Sequence, residues 1–351
     1  MQGLEAFGVD VSKLADQRGG YPAAVPGRIA EIDGDFTSYQ CAAVTRAELS
    51  GDAPMRDLEE RCRATHNASE HIRKLAGAVA ANVHITPSGS DKGGRDGHAL
   101  QQPYQGNREG RERPEHLDAV RYYMEQMGAA AHVHQEADDG LAQAAYADVH
   151  NVVVCSSDKD LWGVPGWNLD PAKGSESLNW SDPSSIGRVE ARDKDGKLIG
   201  RGWLYFFAQT LIGDSADHIK GLPCISNRMK QRLFPTKGFI TLRDKECKTG
   251  KQQAARQAKL GAMLEGKSLF GPRSAVELLS RFNEQPASCA KDVFAVVKQL
   301  WEDAGTVHEF TDYRDGSPIS PTQALLSDMR LLWMRRTVDD DVLKFIKEIH
   351  A

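Results

Sequence analysis

The chain has 351 residues, 40% apolar and 26% charged, with a formal net charge of −5. That length buries a substantial core in one large domain or two, and the balance is that of an ordinary globular protein, which excludes a fibrous or wholly disordered chain. No apolar run approaches membrane-spanning length, the opening MQGLEAFGVD lacks the basic and apolar regions of a secretory signal, and the six cysteines (41, 62, 155, 224, 247 and 289) include no C-x-x-C pair. A cytoplasmic protein with reduced thiols, no membrane contact, no zinc site and no disulfide frame is therefore expected.

Residues 1–27 contain Gly19-Gly20, Pro22 and Pro26 and read as an irregular lead-in. Arg28–Ile32 alternates apolar and polar residues as a short strand does, and ends at Asp33-Gly34-Asp35. A helical pattern runs from about Met55 to Ala81, entered through Gly51, Asp52 and Pro54. Asn82–Thr86 reads as a second strand, and 87–114 as a polar loop or arch rich in Gly and Arg. Pro114 opens a helix closed by Gly128. Ala131–His134 is a third strand, 136–149 a helix, and Asn151–Cys155 a fourth, buried strand. Strands alternating with helices predict a mainly parallel α/β sheet. Beyond it, Gly163–Ser185 reads as a loop, Gly187–Gly202 as a hairpin around Asp195-Gly196, and Trp203–Ile212 as an apolar helix. The rest is helical, with breaks at Pro235, Gly250 and Pro286.

Sites in such sheets form beyond the carboxyl ends of the strands, and each predicted strand here is followed by acid. Asp33 and Asp35 follow the first, Asp91 the second, Glu136, Asp138 and Asp139 the third, Asp158 and Asp160 the fourth. Asp214 and Asp217, at i and i+3, would share one face of a helical turn. Singly, each has an ordinary explanation: Glu136–Asp139 suits a helix start, and Asp-Gly suits a turn. Together they predict a carboxylate metal site, and all-oxygen ligation favours Mg²⁺, with Mn²⁺ as a substitute, over zinc. Arg95, Arg108, Arg111 and Arg113 lie near Tyr104 in the Gly-rich loop, where guanidinium groups can contact phosphates and a ring can stack on a base. From Arg228 to Lys259 there are ten Lys or Arg, among them Lys230 and Arg232, against two acids, a segment suited to gripping duplex backbone.

The motifs resemble those of the 5′ nucleases, most closely the phage 5′-to-3′ exonucleases. The resemblance rests on I-D-G-D at 32–35, P-Y-Q-G-N-R at 103–108, E-A-D-D at 136–139, S-D-K-D at 157–160 and G-D-S-A-D-H-I-K-G-L-P at 213–223. It implies a PIN-like core at 28–202 with an arch at about 87–128, and a helical DNA-binding region at 203–351 containing a helical hairpin. It implies two Mg²⁺ ions held by Asp33, Glu136, Asp138, Asp139, Asp158, Asp160, Asp214 and Asp217, with K⁺ at the hairpin. The implied activity is 5′-to-3′ hydrolysis of duplex DNA by a monomer, extending to flaps and to RNA–DNA hybrids. The family's usual Lys is Gln105 here, with Arg108, Lys92 or Arg95 as the compensating cations. Asp91 stands in for an acid after the second strand, and the usual Gly-Ile-Gly is Cys224-Ile225-Ser226. Two other readings fit parts of the pattern: a phosphatase with Asp33 as nucleophile, and a DNA-binding relative with weak catalysis.

Overall fold

A computed structural model of the protein describes residues 20–191, 197–235 and 250–351. The chain divides into two compact units: 20–95, 110–183 and 334–340 form the first, and 96–109, 341–351 and the described part of 184–333 form the second. No helix among the described residues is long and apolar enough to cross a membrane.

The first unit is built on strands β1 (Ile29–Asp33), β2 (Ala80–Ile85), β3 (Ala130–Ala131), β4 (Val152–Cys155), β5 (Gly166–Leu169) and β6 (Asn179–Ser181). They form one sheet in the order β3-β2-β1-β4-β5-β6, with β6 alone antiparallel to its neighbour. This is the mainly parallel, helix-flanked α/β sheet that the strand–helix alternation predicts. The β4 run VVVC is buried throughout because it is covered on both faces. Successive side chains of a strand point to opposite faces. Val153 and Cys155 accordingly meet Ile72 and Leu75 of helix α2 (Leu58–Leu75), while Val152 and Val154 meet Leu141 and Ala145 of helix α4 (Ala137–Ala147). Helix α1 (Gly34–Ala42) and helix α3 (Leu117–Gln126) share a second cluster with Ile85.

Several boundaries differ from expectation, and the helix expected to open at Pro114 begins at Leu117. Helix α2 begins at Leu58 because Asp57 and Glu60 form a reciprocal capping box, and it ends at Leu75 because Ala80 and Ala81 pair with β1. The third strand shrinks to two residues, although His132 N still donates to Ile85 O. The predicted loop 163–185 carries β5 and β6, whose short runs show no alternation long enough to read.

In the second unit, β7 (Arg188–Ala191) pairs antiparallel with β8 (Leu198–Arg201), as the hairpin pattern predicts. The turn residues Asp195 and Gly196 lie outside the described residues, as do 1–19 of the lead-in and 236–249 of the basic segment. Helix α5 (Gly202–Ile212) is buried along nearly its whole length. Its Trp203 and Phe206 rings pack on Phe345 and Trp333, which stack on each other with centroids 4.6 Å apart. Strands β9 (Cys224–Ser226) and β10 (Lys267–Leu269) pair antiparallel and bracket helices α6 (Asn227–Leu233) and α7 (Gly250–Leu264).

Segment 96–109 is strapped to this unit. Ser327, on helix α8 (Pro321–Leu332), accepts from Leu100 N and donates to His98 O. The neighbouring Asp328 carboxylate accepts from Gln101 Nε2 and Gly221 N, both at 2.9 Å. Burial pushes the Asp328 carboxyl up to about 7. A raised acid binds its proton more tightly folded than unfolded, so its contribution to stability is full at low pH and is lost as pH rises through about 7. Asp328→Asn keeps an acceptor oxygen without the charge. Its melting temperature is expected to exceed the parent's above pH 7, by on the order of 3 kcal/mol in stability, and to converge on the parent's near pH 4. A gap that stays constant across the titration would refute this.

Candidate active site

In the first unit β2 lies on one side of β1 and β4 on the other, so the strand order reverses between β1 and β4. Open α/β sheets take ligands beyond the carboxyl ends at such a point. Asp33 is the last residue of β1 and the N-cap of α1. Its Oδ1 accepts from Phe36 N at 2.9 Å and its Oδ2 from Ser156 Oγ at 2.6 Å. Ser156, just past β4, also accepts from Asp158 N, and Asp158 Oδ1 accepts from Asp160 N. The ends of β1 and β4 are thus laced together through Ser156. Gly34 is required beside Asp33: a Cβ there would lie 2.5 Å from His84 O and 2.6 Å from Ile85 Cγ2.

Asp138 stands in the first turn of α4. Its carboxyl is pushed well above the usual range by desolvation, then by the charges of Asp33, Asp158, Glu136 and Asp35, although part of its surface is open to solvent. It makes no hydrogen bond with any described residue. Asp33 is likewise raised, by burial and then by Asp35, against hydrogen bonds from Phe36, Ser156 and Asp35 that lower it. Asp35, which the sequence placed at the strand end but not among the ligands, belongs to this group. Its Oδ1 accepts from Thr86 N at 2.9 Å and meets Arg121 Nη2 at 3.0 Å.

The acids on α4 have different duties. Asp139 is fully buried and takes Arg95 in a two-point contact, Nη1 and Nη2 each at 2.9 Å. Arg95 Nη1 also meets Glu136 Oε2 at 2.6 Å, and Arg335 N donates to Asp139 Oδ1. Asp139 further forms a capping box with Glu136, so here the helix-start reading and the acidic-site reading both hold. Two expectations are corrected. Arg95, 2% exposed, is an internal clamp and not a cation presented to a phosphate, and Asp139 is its partner and not an open ligand. Behind α4 runs a polar chain: Glu31 Oε2 to His84 Nε2 (2.7 Å), His84 Nδ1 to His132 Nε2 (2.8 Å), and His132 Nδ1 to Gln135 Nε2 (3.0 Å). His132 is therefore a member of a network.

The other expected site residues fall elsewhere. Asp91 is 59% exposed, and its carboxylate is committed to Gly93 N and His134, which removes it from the group. Lys92 sits beside it in the same short turn. Arg111 is exposed, and Arg113 pairs with Asp118 on the surface. In the second unit, Asp214 and Asp217 are not on a helical turn but in a tight loop closed by mutual Asp214–Ile219 backbone hydrogen bonds. Asp214 Oδ1 accepts from Ala216 N. Asp217 Oδ1 takes Arg108 Nη2 at 2.5 Å and Gln105 Nε2 at 3.1 Å, so Gln105 and Arg108 anchor this loop. Tyr104, expected to stack on a base, is buried at 7% exposure. Arg228 and Arg232 are exposed on α6 and Lys230 is half-buried. Arg121, Arg335, Thr86 and Ser156 were missed because their partners are remote in sequence and no local pattern marks them.

No protein-family model and no curated protein matches the chain. Among solved structures it is similar to a bacteriophage T5 flap endonuclease pseudo-enzyme–product complex with DNA and metal ions, at 13% identity and TM-score 0.35 over 80% of this chain and 97% of that one. It is also similar to the T5 5′-exonuclease with bound zinc, at 14% identity and TM-score 0.35 over 80% of this chain and 99% of that one. Likeness at this distance bears on neither substrate nor residue roles.

Proposed function

We propose that the protein is a divalent-metal-dependent nuclease that hydrolyses phosphodiester bonds from the 5′ ends of DNA duplexes, flaps included. The observation that carries this reading is Asp138, a carboxylate crowded by four acids with no hydrogen bond from any described residue. A fold bears that charge density where a cation offsets it. The donors are all oxygen, which suits Mg²⁺ or Mn²⁺. Asp33, Asp138 and Asp158, with Glu136 and Asp160 beside them, would hold the metal, as two ions in the sequence resemblance. Asp214 and Asp217, close enough to offer one ligand atom each, would add further carboxylate ligands, and the sequence resemblance adds K⁺.

When bound, the metal supplies Lewis-acid activation of the phosphodiester and of water. The chain's own residues set the frame. Ser156 fixes Asp33 and Asp158 to each other, and Arg95 fixes Glu136 against the body of α4. The exposed Arg228 and Arg232 would meet duplex phosphates, with an affinity that falls as salt rises. The same chemistry would serve the RNA strand of hybrids. The phosphatase reading gives no use to the Glu136, Asp138 and Asp158 carboxylates or to the exposed Arg228 and Arg232.

The test is an incubation of 5′- and 3′-labelled duplex DNA with Mg²⁺ or with chelator, sizing the products. Short 5′-phosphorylated products from the 5′ end, seen only with Mg²⁺, are expected. Intact duplex in both Mg²⁺ and Mn²⁺ would overturn the reading.

A further inference from the structure

Arg121 has no role in the reading given so far, yet it is one of the cations that the first unit sets beside the carboxylate group, with Lys159 on Asp160 and Arg95 on Glu136. Leu117, Val120 and Met124 bury one face of α3 against α1 and β2, which fixes Arg121 on the flank toward α1. Its Nη2 meets Asp35 Oδ1 at 3.0 Å and its Nε donates to Ser38 Oγ at 3.3 Å. Asp35 in turn acts electrostatically on both Asp33 and Asp138. The guanidinium therefore stands one carboxylate away from the crowded acids.

The contrast with Arg95 decides its use. Arg95 is closed in a two-point ion pair, with both terminal nitrogens committed inside the protein. Arg121 Nη2 meets Asp35 at an oxygen already shared with Thr86 N, its Nε is turned to Ser38 Oγ, and its side chain is 17% exposed. A guanidinium has further N–H donors in a planar fork that matches two phosphate oxygens. A partly hydrated pair at an oxygen shared with Thr86 N is a weak hold, easily exchanged for such a contact.

We propose that Arg121 is a phosphate-binding residue of this site, gripping a phosphodiester of the bound strand beside the carboxylates, with Asp35 holding its guanidinium in place until then. The proposal deepens the nuclease reading and rests on it for the identity of the strand. The binding itself is measurable without metal or turnover.

The experiment follows binding of a fluorescently labelled duplex oligonucleotide with a 5′ phosphate, in chelator, across a salt series. Arg121→Ala is expected to weaken binding about 10-fold and to reduce the slope of log affinity against log salt by about one. Arg121→Lys should restore the slope but only part of the affinity, since an ammonium cannot make the forked contact. Asp35→Asn removes the competitor and should tighten binding more in the parent than in an Arg121→Ala background, a difference that loss of one acidic charge by itself would not produce. If Arg121→Ala does not fold, Arg121→Gln takes its place in the salt series and in the comparison with Asp35→Asn. Unchanged affinity and slope in Arg121→Ala, or an Asp35→Asn effect that weakens binding or tightens it equally in both backgrounds, would overturn the proposal. Absence of Mg²⁺-dependent cleavage by the parent protein would instead count against the nuclease reading, leaving the phosphate contact to be judged on the binding series.

Discussion

Replacing Asp138 by Asn is expected to abolish Mg²⁺-dependent cleavage and, in chelator, to raise the melting temperature. The two effects have one origin. Asp138 is raised well above the usual carboxylate range by desolvation and by four neighbouring carboxylates. Its ionised form is therefore a cost to the folded state, absent below the usual carboxylate range and growing as pH rises through the shifted value. Asn removes that charge and leaves no hydrogen bond unmade. Cleavage should fall by roughly 100-fold or more, as for loss of a metal ligand. The melting gap between variant and parent should widen from pH 4 to pH 8 and close when Mg²⁺ is added, because the ion stabilises only the parent by binding its folded state. A variant that melts below the parent in chelator at neutral pH would contradict the electrostatic account.

The largest loss of stability is expected from Arg95→Ala. It strands the fully buried Asp139 and takes the 2.6 Å contact from Glu136. Breaking a buried pair from one side costs about 3–5 kcal/mol, because the remaining charge keeps its desolvation cost without its partner. Arg95→Lys should recover little, since one ammonium cannot replace the two-point contact. The double replacement Arg95→Leu with Asp139→Asn, which removes the stranded charge and keeps an acceptor for the backbone donors of Glu136 and Arg335, should recover part of the stability that Arg95→Ala loses. Denaturant midpoints of these variants separate the cases. Equal losses in Arg95→Ala and the double variant would show that packing, not charge, is what Arg95 contributes.

Much of this was legible because it depends on local pattern. The β-branched run at 152–154 and the helix-closing Gly128 declare their elements within a few positions. The strands β5 and β6 were not legible: four and three residues carry too little periodicity, and pairing with a buried neighbour holds them. The same limit hid the difference between Asp138 and Asp139. They are adjacent and of one chemistry, and only their surroundings separate them.

The sequence by itself determined the class of sheet, the order of its first four strands along the chain, and the presence of acid after each, because periodicity and residue type suffice for that. Tertiary structure decided which acids share charge and which are neutralised. It gave Arg95 to Asp139 and Arg121 to Asp35, and it set Asp91 apart on His134. The reason is physical. A carboxylate's state depends on the charges and donors within a few ångströms, and those neighbours come from strands and helices far away along the chain.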